Sequence, residues 1–149
     1  MQATDDAKVL AGSPNRNYAI SNLQVRNDDR QSFVRFDVRP TQGRRILRAI
    51  LRLYVTDASA SSGTAYQTRA DWDEASLTWN TRPTVIGPAL GRGGVAEIGG
   101  YVTYDVTGAA IDGGPVSFVL RKGPNDSVLY ASTGSGADRS PELELSFVP

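Results

Sequence analysis

From Leu47 to Val55 the chain reads as a strand with a dry side and a wetter one: Leu47, Ala49, Leu51, Leu53 and Val55 form an apolar face opposite Arg48, Ile50, Arg52 and Tyr54. Successive side chains of an extended chain point to opposite faces, so this period of two predicts a half-buried β-strand. Ser32 to Arg39 reads the same way, with Val34, Phe36 and Val38 inward and Phe33, Arg35, Asp37 and Arg39 outward. Further inward faces come from Leu23 and Val25, from Val116, Phe118 and Leu120, and from Leu143, Leu145 and Phe147; Gln24, Arg26, Arg121, Glu142 and Glu144 point outward. Ala7 to Leu10, Tyr101 to Val106 and Val128 to Ser132 are shorter strand candidates.

No segment keeps a 3.6-residue apolar period for three turns. Turn clusters interrupt the pattern instead, at Gly12–Asn15, Asn27–Asp29, Pro40–Gly43, Ala58–Gly63 and Gly123–Asp126. Gly108 to Ile111 is expected to form one short helical turn capped by Asp105 or Thr107. Many short strands without crossover helices predict an all-β fold, an antiparallel two-sheet β-sandwich of jelly-roll type. With no linker and no internal repeat, residues 1–149 are read as one domain.

One stretch breaks the alternation. Asp71 to Pro83 holds both tryptophans, Trp72 and Trp79, among acidic and small polar residues. It is expected to be an extended crossing that packs its indoles onto the sandwich, with their N–H groups satisfied locally.

Composition removes several chemistries. The chain has no cysteine and no histidine, so disulfides, thiolate metal sites and hydrolytic triads built on His or Cys are excluded. No apolar run approaches the length of a membrane span, and the first residues lack the order of a signal peptide. Met1 stands directly before a polar lead-in and the first strand-like segment, as expected of an excised module. Sixteen Lys plus Arg balance sixteen Asp plus Glu. Nucleic-acid binding is disfavoured by that balance and by the lack of a lysine-rich stripe. The cations are unevenly placed, however: from Arg16 to Arg52 nine arginines face three acids, an excess of 9 − 3 = 6, suited to attracting an anion.

Several local patterns occur in one order: Asp6-Ala7-Lys8-Val9, Ser13-Pro14-Asn15-Arg16-Asn17-Tyr18, Leu23-Gln24-Val25-Arg26, Ser32 to Asp37, Ile50 to Tyr54, Tyr104 to Thr107, Val116 to Arg121 and Ser140 to Leu145. Among them lies Trp72-x-Glu74-x-x-x-Thr78-Trp79-Asn80-x-x-Pro83. The whole chain resembles the DNRLRE-type domain, a carbohydrate-binding module of extracellular, mainly bacterial, proteins. The resemblance implies a jelly roll, secretion and a non-catalytic role beside polysaccharide-degrading enzymes or in surface proteins, with alginate-like uronates among the ligands. Two departures stand out: Ala19 replaces a glycine after the Asn-Tyr pair, and Ser132 to Gly136 replaces a Ser-Arg-Glu element.

The candidate ligand-binding residues are Arg35, Arg39, Arg48, Arg52 and Tyr54. If the two strands that carry them share a sheet, alternation makes a basic patch beside an aromatic ring, and guanidinium groups bind carboxylates in bidentate fashion. The competing expectation is that these arginines pair with Asp37, Glu142 or Glu144 across a sheet. Asp5 and Asp6 are the candidate metal ligands for a structural calcium, with Asp28 and Asp29 as further oxygen donors, although calcium needs six to eight oxygens from several loops. Acids crowded into the 71–74 loop do not flank a glycosidic bond, so catalysis is not expected. The sequence thus predicts a secreted, monomeric, non-catalytic module for an acidic polysaccharide such as alginate; a structural or adhesive spacer, or a protein-interaction domain, of a larger extracellular protein is the alternative.

Overall fold

A computed structural model describes residues 1–19, 21–123, 126–136 and 138–149. The turn expected at 123–126 therefore lies in part outside the described residues. Among the described residues ten strands form, in chain order: β1 Asp5–Leu10, β2 Leu23–Val25, β3 Arg30–Val38, β4 Ile46–Asp57, β5 Thr64–Thr68, β6 Gly91–Arg92, β7 Tyr101–Asp105, β8 Gly114–Arg121, β9 Val128–Tyr130 and β10 Glu142–Phe147. One sheet runs β1-β3-β8-β5-β6; the other runs β10-β4-β9-β2, with β7 on the remaining edge of β4. All pairings are antiparallel, and the chain mostly alternates between sheets, so the β-sandwich of jelly-roll type is borne out. Among the described residues no helix is long and apolar enough to cross a membrane.

The main core lies between the sheets. Val34, Phe36 and Val38 of β3 meet Leu51, Leu53 and Val55 of β4, with Phe118, Leu120, Tyr104 and Tyr130 between them. Each strand therefore places its inward set where the period of two puts it. The two buried tyrosine hydroxyls satisfy one another, at 2.8 Å, and Tyr104 also donates to the carbonyl of Ser62 at 2.6 Å.

Three expectations need correction. Leu47 is 61% exposed, because Ile46 pairs with Phe147 while Arg48 pairs with Ser146. Leu47 is thus the extra residue of a bulge, which turns it outward and leaves Ile46 against the core. Phe33, on the outer face of β3, is buried. Residues 108–111 form no helix: the Asp105 carboxylate accepts the Thr107 N–H at 3.0 Å, making a local turn, and the Ala109 N–H closes on Val106 O. Strands β5 and β6 and a 3₁₀ turn at Thr133–Ser135 lie where no element was expected.

Phe33 is buried because the 71–83 crossing forms a third layer over the first sheet. Leu77, Trp72 and Trp79 pack there with Ala7, Val9, Phe33 and Val119 in a second core. Trp72 meets Phe33 edge to face at 6.1 Å and donates its indole N–H to Ser117 Oγ at 2.8 Å. Asp73 caps a turn by accepting from the Ser76 N–H and hydroxyl, and Asn17 Nδ2 donates to the carbonyls of Glu74 and Leu77 at 2.7 and 2.8 Å. The crossing is therefore tied down at its centre by a side chain from the 13–18 loop.

Candidate functional site

The two sheets divide the arginines expected to act together. Arg35 belongs to β3 and Arg48 and Arg52 to β4, strands of different sheets, so the shared patch that required one sheet does not form. Arg35 pairs with Asp5 at 3.2 Å and donates to Ala70 O at 3.0 Å, helping to hold the crossing. Arg52 lies within 3.3 Å of both Glu142 and Glu144 and stacks on Tyr101 at 4.0 Å; Tyr101 meets Tyr54 edge to face at 5.5 Å. Arg52 meets two of the acids that the competing expectation named, whereas Arg35 pairs across strands with Asp5, which it did not name. Arg48 stays exposed beside Asp105, and Arg39 follows β3 at the open edge of the sandwich.

Asp5 and Asp6 diverge to opposite faces of β1. Asp5 accepts the Glu74 N–H at 3.1 Å besides its pair with Arg35, whereas Asp6 turns to Thr133, whose N–H and hydroxyl donate to its two oxygens at 2.9 and 3.1 Å. Among the described residues no group of three or more acids is placed to hold a metal ion, and Asp5 and Asp6 turn to different partners. Asp6 is 1% exposed, and burial raises its carboxyl to about 7 despite the Thr133 bonds.

A different basic surface lies on the outer face of the first sheet, where the crossing ends. Two depressions share Arg121. One, of about 300 Å³, lies against Phe33, Trp79, Arg82, Pro83 and Val119; the other, of about 200 Å³, against Asp28, Gly63, Tyr66, Arg92 and Lys122. Each side chain has a reason to be there. Alternation along β8 turns Arg121 outward, and its guanidinium lies 5.4 Å from the Tyr66 ring of neighbouring β5. Arg82 is placed by the crossing: it covers Trp79 at 3.8 Å and donates back to Trp79 O at 2.7 Å. Arg92 comes from β6 opposite Thr64. Gly63 closes the rim at φ +79°, where a β-carbon would stand 2.2 Å from Arg121 O, a position only glycine fills.

The charges on this surface are unbalanced. Asp28 binds Arg121 bidentately, at 3.1 and 3.0 Å. Lys122 is buried beneath, its amine donating to Ser59 Oγ and Ser61 O and pairing with Asp126 at 3.3 Å. Arg82 and Arg92 are exposed, and among the described residues neither has an acid within 4 Å. Partial burial and then the nearby positive charge of Arg121 lower the Arg82 pKa. An arriving carboxylate relieves that repulsion and gains charge-assisted hydrogen bonds, while Tyr66 and the rim of Trp79 offer apolar surface. Both tryptophans serve chiefly to pack the crossing.

This surface was only partly visible in the sequence. The outward direction of Arg121 follows from alternation, and Arg82 sits inside the tryptophan motif, but both lie outside the arginine-rich 16–52 region. Only the pairing of β5 with β8 and β6 brings Tyr66 and Arg92 beside them.

Against known proteins, the model of carbohydrate-binding module family 96 matches residues 1–147. No curated protein sequence matches the chain.

Proposed function

The chain belongs to carbohydrate-binding module family 96, and on that premise we propose that it binds an acidic, uronate-containing polysaccharide such as alginate through the Arg82–Arg121–Arg92 surface. Polysaccharide binding is the common property of such modules; the preference for an acidic chain is the further step. One observation supports it above others: Arg82 and Arg92 flank Arg121 along a surface with aromatic walls and a single lining carboxylate, Asp28. Guanidinium groups match the carboxylates that repeat along a polyuronate, and the neighbouring rings suit the C–H faces of its sugars. The module is non-catalytic in this reading, because one carboxylate on the surface leaves no second acid across a scissile bond. It would serve as the binding part of a secreted enzyme or surface protein.

The test is titration with alginate, pectate and a neutral glucan at low and moderate salt. Alginate should bind more tightly than the glucan, with an affinity that falls as salt rises, since exposed charges are screened over about 10 Å at 0.1 M. Arg82→Gln with Arg92→Gln should weaken binding at least about tenfold, from a loss of roughly 1.5–3 kcal/mol per charged hydrogen bond, without lowering Tm. The pair Arg48→Gln and Arg52→Gln on the opposite sheet is the control. If that control alone loses affinity, the site lies on the second sheet. If no glycan binds, the spacer reading is the better one.

A further inference from the structure

The single acid that lines the two depressions, Asp28, is fixed in place by its own backbone. It sits in the turn between β2 and β3, which Arg26 and Arg30 close by exchanging main-chain hydrogen bonds at 3.0 and 3.1 Å. Asn27 and Asp28 have φ of +44° and +58°, the left-handed region that asparagine and aspartate enter most readily after glycine. Both main-chain groups of Asp28 are then pinned: its N–H donates to Lys122 O at 2.7 Å, and its carbonyl accepts from Gln31 Nε2 at 3.3 Å. Lys122 follows Arg121 directly, so the turn delivers a carboxylate beside that guanidinium.

The carboxylate takes only one edge of Arg121. Its two oxygens accept from Nε and Nη2, at 3.1 and 3.0 Å. A guanidinium carries five N–H groups in a planar fork, so a second edge remains, formed by Nη1 and the other proton of Nη2. Among the described residues Nη1 has no hydrogen-bond partner. Arg121 is part-exposed and lines both depressions, with Arg82 in one and Arg92 in the other. A long side chain in such a place ordinarily spreads over many rotamers. Here Asp28 on one edge, and the Tyr66 ring 5.4 Å away, restrict it.

We propose, on the reading that this surface binds a polyuronate, that Arg121 grips a sugar carboxylate through Nη1 and Nη2 while Asp28 stays on the other edge as its positioning residue. Asp28 then strengthens the binding of an anion although it is an anion itself, because a guanidinium already held in place loses less freedom when the ligand arrives. Charge alone predicts the reverse: removing an acid from a basic surface should draw a polyanion more strongly. The sign of the effect at Asp28 therefore separates positioning from simple competition.

The probe is alginate oligosaccharide, titrated by calorimetry at low salt into the parent, Asp28→Asn, Arg121→Lys and the double variant. Asparagine tolerates the left-handed turn, so Tm should not fall, but its NH₂ cannot accept from Nη2 and the bidentate pair is lost. Asp28→Asn should weaken binding by at least about tenfold, as should Arg121→Lys, and the double variant should bind no more weakly than Arg121→Lys alone. In the labelled parent, the Asp28 carboxyl carbon should hold its chemical shift through the titration while the Arg121 side-chain resonances move. Binding by Asp28→Asn as tight as the parent's, or tighter, overturns the proposal, because Asp28 is then only a competing charge. An equal further loss when Asp28→Asn is added to Arg121→Lys overturns it too, since Asp28 then acts on the turn and not through Arg121. Movement of the Asp28 carboxyl resonance overturns it in favour of displacement by the ligand. If the parent binds alginate and only the Arg82→Gln, Arg92→Gln variant loses it, the acidic-polysaccharide reading stands and this inference falls; if the parent binds none, both fall.

Discussion

Above pH 7 the folded protein must hold a charged carboxylate at Asp6 where almost no water reaches, so its stability is expected to fall as the pH climbs toward that value. In the unfolded chain an aspartate ionises near about 3.9. In the folded protein burial lifts Asp6 to about 7. Between the two values the unfolded state binds fewer protons than the native state, and unfolding becomes easier as pH rises; below and above the window the contribution is flat. Roughly three pH units at about 1.36 kcal/mol each give a loss of about 4 kcal/mol, a large share of the 5–15 kcal/mol typical of a domain. Asp105 and Asp126, held low chiefly by hydrogen bonds from Thr107 and Ser59, act with the opposite sign and only at more acidic pH. Glu74, raised by burial, adds to the same trend as Asp6. Asp6→Asn isolates the effect: the amide oxygen can still accept the Thr133 N–H, its NH₂ can donate to Thr133 Oγ1, and nothing titrates. Urea unfolding followed by tryptophan fluorescence should find the variant and the parent within about 1 kcal/mol at pH 4, and the variant more stable by up to about 4 kcal/mol at pH 8. Parallel curves for the two proteins would refute the reasoning.

Leu77→Ala should cost about 2–5 kcal/mol as a core truncation. It should also reduce the near-ultraviolet tryptophan signal and weaken alginate binding, because the rim that carries Arg82 loses its anchor; an unchanged spectrum and affinity would mean that the crossing is held elsewhere. With Asp5 and Asp6 turned to different partners, adding a chelator should leave Tm where it is in millimolar calcium. A drop of several degrees would reveal a calcium that stabilises the folded state by mass action.

The strands that alternate cleanly were legible because each buries one face against the other sheet. β4 shows where that logic stops: its pattern includes Leu47, but a bulge against β10 spends one residue there and turns that side chain to solvent. Phe33 was placed on the correct face, yet its burial depends on a layer contributed by residues some forty positions away, which no local pattern encodes. Thr64–Thr68 hid as a strand because only Ala65 of its five residues contributes to the main core. The arginines were hardest of all. Alternation tells which way Arg35, Arg52 and Arg121 point but not which sheet they join, and sheet membership decides whether a guanidinium meets Asp5, a pair of glutamates or Asp28.

The 71–83 layer also separates what can vary from what cannot. Its anchors, Leu77, Asp73 and the amide of Asn17, face inward or into local turns, while Asn80, Arg82 and Thr84 stand on an outer margin that makes no contribution to either core. A combinatorial library at those three positions, extended to Arg92 on β6, would explore new recognition at little risk to folding.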